Sequence, residues 1–242
     1  VLHPRYLAIP KVGMALAPLL MALSLVPALR RVLAGRRDRP VLDAHFLYPD
    51  GVAAALLAGW FGLPLVMTAR GQDVTLYPGW RVPRRWILWA AGRAARIVTV
   101  SEALRERLLA LGVPPEKVAT LRNGVDLRRF APRDRAAIRA RLGITAPLLL
   151  SVGHLIGRKG HEVAIAALAQ LPGAQLCVIG EGPWQRRLEH AAAEAGVAGR
   201  VTWLGNMPQD ELVDWYNAAD ALVLASLREG MPNGVLEAMA CG

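Results

Sequence analysis

From residue 41 onward, short apolar runs alternate with longer segments in which apolar residues recur at the spacing of a helix. The apolar runs predict buried strands at residues 41–45, 65–68, 97–100, 118–121, 148–152, 175–179, 201–204 and 221–224. Helices are predicted at residues 50–61, 84–93, 101–111 and 209–217, from residues 161 and 184, and in the last segment. Strands that alternate with helices through short connections are typical of parallel sheets covered on both faces. The expected fold class is therefore α/β and doubly wound.

The alternation weakens between Asn123 and Ala146, where an Asp/Arg-rich turn and Pro132 precede a charged helix that ends at Gly143. This segment predicts a connection between two Rossmann-like domains, residues 1–143 and 144–242. No glycine-rich strand-to-helix turn opens the first domain, and the second stops inside a helix at Gly242. Both domains are accordingly expected to be incomplete, and the isolated fragment is expected to be poorly active.

An uncharged stretch runs from Val12 to Leu29 and is interrupted by Pro18 and Pro27. Arginines 30 and 31 close it. Its length would permit a membrane-spanning helix. The prolines instead favour a broken helical segment that packs on the domain or lies in a membrane interface.

Apolar residues make up 54% of the 242-residue chain, which excludes a disordered protein. The net charge of +10 comes almost entirely from arginine, because only three of the 29 basic residues are lysines. Such a surface attracts anionic lipid headgroups or phosphorylated substrates, and the arginine bias is discounted as a nucleic-acid signal. Cys177 and Cys241 show no metal or redox spacing, which favours a reducing, cytoplasmic compartment. No D-x-D or H-E-x-x-H pattern predicts a metal site.

Two glutamates, Glu229 and Glu237, stand eight positions apart near the end of the chain, after a predicted strand. Pro232 suits the first turn of a helix and Asn233 can cap one, so free backbone amides would face an anion such as a diphosphate. The two carboxylates could accept hydrogen bonds from sugar hydroxyls. The segment therefore predicts a nucleotide-sugar site, whose donor-binding candidates also include Gly230, Met231, Pro232, Asn233 and Gly234.

Two further loops follow predicted strands. Gly153 opens a loop in which adjacent Arg158 and Lys159 could neutralise phosphates. The second loop, Gly180-Glu181-Gly182-Pro183, fails the dinucleotide-binding fingerprint because Gln185 stands where the third glycine belongs. There, Gly182 either lets the backbone approach a ligand or serves a purely structural turn.

With these motifs in place, the chain resembles the retaining glycosyltransferases of family 4, which have the GT-B fold of two Rossmann-like domains facing across a cleft. The resemblance runs from about residue 41 to 242. Its strongest stretches are Ser-Val-Gly-His-Leu-Ile-Gly-Arg-Lys-Gly-His, Ile-Gly-Glu-Gly-Pro and Arg-Glu-Gly-Met-Pro-Asn-Gly-Val-Leu-Glu-Ala-Met-Ala-Cys-Gly.

The resemblance implies that Lys159 and Arg158 hold the donor diphosphate, that Glu229 contacts the donor sugar and that Glu237 binds the ribose. Gly153 and the turn from Gly230 would line the donor site. It also implies transfer with retention by front-face attack, without metal or cofactor. The partners would be a nucleotide-sugar donor and a glycan, lipid-linked or small-molecule acceptor, with peripheral membrane contact at the inner face and no nucleic acid.

Two positions depart from the family pattern. His154 stands where the family commonly has arginine, and Arg70-Gly71 replaces a His-Gly pair of many relatives. Arg70 is expected to contact a phosphate or an anionic acceptor, and the other acceptor-side candidates are His45 and Asp73. His45 ends a predicted strand, where a purely structural histidine is an equal alternative.

Two other functions remain open at this level. An epimerase or phosphorylase on the same fold would also bind a sugar phosphate or a nucleotide sugar. A basic module that binds membrane or nucleic acid is the alternative from another class. Aromatic residues interleaved with arginines would favour nucleic acid, but Trp86 and Trp89 have the spacing of helix packing.

Overall fold

The computed structural model describes residues 3–7 and 13–242 and divides the chain into two compact units, one through Asn123 and one from Gly124. The predicted domain boundary at Gly143 differs from this division. The helix between the two positions, α6 (Arg135–Leu142), packs against α9 (Gln209–Ala218). The segment that reads as a connection in the sequence therefore belongs to the C-terminal unit.

The N-terminal unit contains a parallel sheet in the order β1-β2-β3-β4, formed by Leu42–His45, Leu65–Ala69, Arg96–Thr99 and Val118–Thr120. Its helices are α1 (Gly13–Leu33), α2 (Val52–Phe61), α3 (Gln72–Thr75), α4 (Arg81–Arg93) and α5 (Glu102–Ala110). Large side chains of the strands and helices are fully buried, among them Leu65, Met67, Ile87, Ile97 and Leu104. The four strands predicted in this half are confirmed to within one residue at each end.

The first helix, α1, is continuous, so the prediction of a broken segment is wrong for the described residues; its start at Val12 lies outside them. Each proline removes one hydrogen bond of the helix ladder, and the surrounding apolar turns still form. Ala22 is buried in a cluster with Ala53 and Leu57 of α2. The stretch Met14–Leu33 is long and apolar enough to cross a membrane by length and composition, and 11% of it is buried.

The C-terminal unit contains a second parallel sheet in the order β7-β6-β5-β8, formed by Val201–Trp203, Gln175–Ile179, Leu148–Val152 and Ala221–Leu222. Its helices, besides α6 and α9, are α7 (His161–Ala169), α8 (Gln185–Glu194) and α10 (Asn233–Ala240). Leu150 and Cys177 pack in one core cluster, and Leu176 and Ile165 pack in another, so both faces of the sheet are covered. Both sheets thus have the parallel α/β architecture that the alternation predicts.

Two predicted helix starts differ in detail. Asp50 is not the cap of α2, because residues Leu47–Gly51 form a wide helical turn that leads into it and Gly51 occupies the cap position. Ser101 occupies the cap position of α5 with an extended backbone, but its side chain makes no capping hydrogen bond. At the other end of a helix, Gly143 terminates α6 in the left-handed conformation, as the sequence predicts.

Candidate nucleotide-sugar site

The strand order of the C-terminal unit reverses at β5. From β5 the chain proceeds to β6 and β7 on one side, and β8 pairs on the other side. In open parallel sheets, ligands bind at the carboxyl ends of the strands where the order reverses. The loops that follow β5 and β8 therefore frame the expected site of this unit, and they carry the two main sequence motifs.

The loops after β5 and β8 are joined by an ion pair between Lys159 and Glu229. Lys159 Nζ donates to Glu229 Oε1 at 2.7 Å, and the two side chains are 18% and 22% exposed. Lys159 lies in the tight turn Gly157–Lys159, together with half-buried Arg158. The Arg158 carbonyl accepts the Leu227 amide at 2.9 Å, which ties this turn to the segment before Glu229. The structure thus brings Lys159, Arg158 and Glu229, which the resemblance assigns to the donor diphosphate and sugar, into adjoining segments.

Close approach of backbones explains three glycines around this site. A Cβ on Gly160 would lie 2.1 Å from the Ala225 carbonyl oxygen, and a Cβ on Gly180 would lie 2.0 Å from that of Gly153. Gly160 also has a φ of +69°, which favours glycine. A Cβ on Gly182 would lie 2.5 Å from the Leu155 carbonyl oxygen. This close contact with protein backbone supports the structural reading of Gly182.

The last helix, α10, begins at Asn233, a position that the sequence offers as a cap. Pro232 occupies the cap position with an extended backbone, and Asn233 is the first helical residue. Asn233 is therefore not the cap, because its backbone has already entered the helix. Gly230 and Met231 precede this start as half-buried residues, and Asn233 is exposed. At this start the Val235 amide donates to the Pro232 carbonyl at 3.2 Å.

Glu237, in the second turn of α10, is held by a tyrosine of α9. The Tyr216 hydroxyl donates to Glu237 Oε2 at 2.9 Å. Burial of the phenol, together with the nearby Glu237 charge, raises the pKa of Tyr216 far above its ordinary value, so the hydroxyl stays a donor. A Cβ on Gly234 would approach this hydroxyl to 3.3 Å. Sequence reasoning missed Tyr216, whose only local signal is its place on the apolar face of a helix.

The acceptor-side candidates of the N-terminal unit form a separate polar group at the carboxyl ends of β1 and β2. Arg70 Nε donates to His45 Nδ1 at 3.2 Å, and His45 Nε2 lies 3.3 Å from Asp43 Oδ2. Arg70 Nη1 also reaches Asn123 Oδ1 at 3.5 Å. The structure therefore brings His45 and Arg70 together and makes them accessible, since the His45 side chain is about half exposed.

Asp73 differs from the other two candidates, because its side chain is fully buried. Its carboxylate accepts the backbone amides of Leu47, Arg70 and Gly71 at 2.7–3.1 Å. Burial raises the pKa of Asp73, and these amide hydrogen bonds act in the opposite direction. With its oxygens committed to backbone, Asp73 positions the loops that carry Arg70 rather than contacting an acceptor. The expectation of direct contact does not fit this geometry.

His154, the departure from the family pattern after β5, is an exposed residue in the same loop as Lys159. A second histidine nearby, His161, is buried at the start of α7 and was not singled out from the sequence. In the described part of the chain, no three His, Cys, Asp or Glu side chains are grouped so that they could hold a metal ion.

Comparison with known proteins agrees with this arrangement. A sequence family described as "Glycosyltransferase Family 4" matches residues 4–129, and one described as "Glycosyl transferases group 1" matches residues 134–242. The D-inositol 3-phosphate glycosyltransferase of Mycolicibacterium gilvum is 32% identical over 84% of the chain and 49% of its own length. The 2-deoxystreptamine glucosyltransferase of Streptomyces kanamyceticus is 30% identical over 90% of the chain and 62% of its own length.

Two solved structures share the fold. The sucrose-phosphate synthase of Thermosynechococcus elongatus superposes with a TM-score of 0.80 at 25% identity, covering 98% of the chain and 63% of that structure. Anabaena HepE in complex with UDP-glucose superposes with a TM-score of 0.77 at 20% identity, covering 90% and 61%. The fold class is that of the GT-B glycosyltransferases. The chain belongs to glycosyltransferase family 4, and it spans about half to less than two thirds of the length of these relatives.

Proposed function

We propose that the complete protein transfers a sugar from a nucleotide-sugar donor to a glycan, lipid-linked or small-molecule acceptor, and that the C-terminal unit binds the donor. The observation that carries this proposal is the contact between Lys159 and Glu229 where the strand order reverses. A cation for the diphosphate and a carboxylate for the sugar hydroxyls meet there, beside the start of α10.

The chemistry follows from charge. When the bond between the anomeric carbon and the diphosphate breaks, negative charge grows on the departing oxygen, and fixed positive groups lower the barrier. Lys159, Arg158 and the first amides of α10 supply such groups. Donor binding would exchange the Lys159–Glu229 ion pair for a Lys159–phosphate pair, which frees Glu229 to accept a sugar hydroxyl.

We further propose that transfer proceeds with retention and without a metal. The acceptor oxygen bonds to the anomeric carbon on the face that the diphosphate leaves, and the acceptor proton passes to the departing phosphate oxygen. The sequence supports this route, because it contains neither a D-x-D pair for a bridging metal nor an evident nucleophile. The anomeric configuration of the product, measured by NMR, tests retention. Turnover in excess EDTA tests whether a metal is needed.

The His45–Arg70 pair supports an acceptor that carries an anionic group. A guanidinium presents planar paired donors that suit phosphate or carboxylate. One relative is named for transfer to D-inositol 3-phosphate, which is a phosphorylated acceptor. Replacement of Arg70 by alanine should raise the KM for an anionic acceptor and leave the KM for the donor unchanged.

The central test compares wild type with Lys159→Ala and Glu237→Ala in the complete protein, with binding of UDP-, GDP- and ADP-sugars measured by thermal shift and calorimetry. Both variants are expected to lose donor affinity and turnover, and unchanged values in both would refute the proposal. Incubation of the donor without acceptor separates the alternatives. An epimerase would interconvert sugars without releasing a nucleoside diphosphate.

We also propose that α1 attaches the protein to the inner face of a membrane. Met14, Leu16, Leu19 and Leu23 are exposed on this helix, and Arg30 and Arg31 follow in its last turn. Apolar side chains would enter the acyl boundary, and the arginines would pair with anionic headgroups. The complete protein should float with vesicles that contain phosphatidylglycerol. Failure to float with these vesicles would remove the membrane contact from the proposal without affecting donor binding.

A further inference from the structure

His161 is a buried histidine that closes the stretch Ser151–His161, and neither the sequence analysis nor the proposed chemistry gives it a role. It is the first residue of α7 and follows Lys159 and Gly160 directly. The residue is only 3% exposed, and its Nδ1 atom lies 2.8 Å from the hydroxyl of Ser151, a buried residue of β5. The imidazole is therefore fixed in orientation by the sheet beneath it.

The other ring nitrogen, Nε2, is buried and makes no hydrogen bond of good geometry among the described residues, although the backbone of His154 and Gly153 lies near enough to act on the ring. Buried polar atoms are nearly always paired, because leaving one unpaired costs roughly 1–3 kcal/mol. A buried nitrogen of this kind suits a ligand that supplies a hydrogen-bond acceptor. The groups that lie beside Nε2 therefore decide which ligand could pair with it.

Nε2 and the Lys159 stem both lie close to the space that a side chain on Gly153 would occupy. A Cβ built on Gly153 would lie 4.0 Å from His161 Nε2 and 3.7–3.8 Å from the last carbons of the Lys159 stem. Gly153 keeps this space open, because it has no side chain. The imidazole and the lysine stem therefore border the same space, which is the size of a small side chain and lies next to the Lys159–Glu229 ion pair.

Hydrogen-bond accounting indicates which nitrogen carries the proton. If the Ser151 hydroxyl donates to Nδ1, the proton sits on Nε2 and only that N–H lacks a partner. If Nδ1–H donates to the Ser151 hydroxyl instead, both Nε2 and the hydroxyl proton of Ser151 lack a hydrogen-bond partner. The first arrangement leaves fewer unsatisfied groups and makes Nε2–H a donor.

The ring is also expected to be uncharged. Burial is the main cause that lowers the pKa of His161, and the Lys159 charge lowers it further, whereas the backbone of His154 and Gly153 and the Glu162 charge act in the opposite direction. A neutral donor beside a lysine avoids the repulsion that a second cation would cause.

We infer that His161 donates a hydrogen bond through Nε2–H to a phosphate oxygen of the donor's nucleoside diphosphate, beside Lys159. This inference rests on the proposed function and assigns a phosphate-binding residue in addition to Lys159 and Arg158. Lys159 then supplies the charge, and His161 supplies a directed donor from a rigid element.

The test uses the complete protein and calorimetric titration with UDP, GDP and ADP, and with the parent nucleosides. His161→Phe keeps a ring but removes the donor, and it should weaken binding of the preferred diphosphate about 10- to 100-fold while leaving the nucleoside unaffected. His161→Gln retains an N–H group at similar reach and should recover most of the affinity.

Lys159→Ala separates this inference from the proposed function. Loss of affinity in both Lys159→Ala and His161→Phe supports the inference. If Lys159→Ala loses affinity and His161→Phe binds as tightly as wild type, the inference is overturned and the proposed function stands. If wild type binds none of the diphosphates, both are overturned.

A spectroscopic measurement covers the case in which His161→Phe fails to fold. Long-range proton–nitrogen spectra of wild type labelled at histidine, assigned with His161→Gln, should show the Nε2–H tautomer in the free protein. Saturation with the preferred diphosphate should shift the Nε2 proton. A Nδ1–H tautomer, or no shift at saturation, would overturn the inference.

Discussion

Lys159 Nζ lies 2.7 Å from Glu229 Oε1, although the two residues are 70 positions apart in the chain. Both side chains are less than a quarter exposed, so water screens the pair less than an ion pair on the surface. Lys159, which is proposed to bind the donor phosphates, is thus paired with the carboxylate that is proposed to bind the sugar. Under the proposed function, donor binding displaces this contact.

Replacement of Glu229 by glutamine should tighten binding of the preferred nucleoside diphosphate, because Lys159 no longer has a charged competitor. A partly exposed ion pair contributes about 1 kcal/mol or less, so the gain should be at most about fivefold. Sugar transfer should fall at the same time. Calorimetry with the diphosphate and a turnover assay measure the two effects. Weaker diphosphate binding in this variant would contradict the prediction.

Gly160→Ala should destabilise the C-terminal unit more than Gly143→Ala. The two glycines have nearly the same backbone, with φ of +69° and +67°. A Cβ on Gly160 would strike the Ala225 carbonyl oxygen, whereas a Cβ on Gly143 meets nothing within 4 Å. Gly143→Ala should therefore cost about 1 kcal/mol, from the left-handed backbone alone, and Gly160→Ala should cost at least about twice as much.

Urea unfolding of the two glycine variants measures this difference. Because the Ala225 contact lies close to Lys159, Gly160→Ala should also weaken diphosphate binding, and Gly143→Ala should not. Equal free energies of unfolding in the two variants would show that the loop yields to the added methyl group without strain.

Tyr216→Phe should release Glu237 without changing the packing of the ring against Phe130, which lies edge-on at 6.1 Å between centroids. Loss of one hydrogen bond to a carboxylate should lower the free energy of unfolding by about 1 kcal/mol. Affinity for the nucleotide sugar should also fall, because Glu237 is no longer oriented. Denaturant unfolding and calorimetry test the two parts, and Trp215→Phe on the same helix serves as a control that leaves Glu237 held. If Tyr216→Phe bound the donor as wild type does, orientation of Glu237 by the phenol would be excluded.

The stability of the protein should rise with pH up to about pH 7 in part because of His161. Its pKa is lowered in the folded state from 6.5, so the unfolded chain binds more protons between that lowered pKa and 6.5. Stability therefore increases as pH rises through this window and is lost as pH falls through it. The groups that face the ring are the Lys159 and Glu162 charges and the Ser151 hydroxyl.

Thermal unfolding of wild type and His161→Gln between pH 5 and 8 checks this linkage, since the variant lacks the titrating ring. The difference in melting temperature between the two proteins should grow as pH rises toward 7. A difference that does not change with pH would contradict a lowered pKa of His161.

The local pattern of apolar residues was sufficient to predict the strands of both sheets. Runs such as Leu148–Val152 and Gln175–Ile179 are apolar on both faces and end at glycine, so their bounds match the structure at every residue. The course of α1 was not predictable from its prolines, because a helix tolerates the loss of single hydrogen bonds when its other turns hold. The boundary between the units was also misplaced, since only the packing of α6 on α9 reveals where that helix belongs.

Some residues of the candidate site are indicated by the local sequence, and others are revealed only by the fold. Lys159 and Glu229 stand in loops, and Glu237 stands near the start of a helix, in stretches whose composition carries a chemical signal. Tyr216 and His161 depend on partners far along the chain or beneath the surface, and no local pattern distinguishes them from ordinary buried residues. Asp73 is the opposite case. Its place after a strand indicates a side chain that could bind a ligand, but in the fold its carboxylate accepts three backbone amides.

The exposed face of α1 has a practical consequence for work with the purified protein. Met14, Leu16, Leu19 and Leu23 stand outside the packed cluster around Ala22. In plain buffer, molecules are expected to shield these side chains by pairing with one another. Particle size should therefore be compared between preparations in plain buffer and preparations in mild detergent or lipid discs, because assemblies that detergent dissolves are expected to involve this helix.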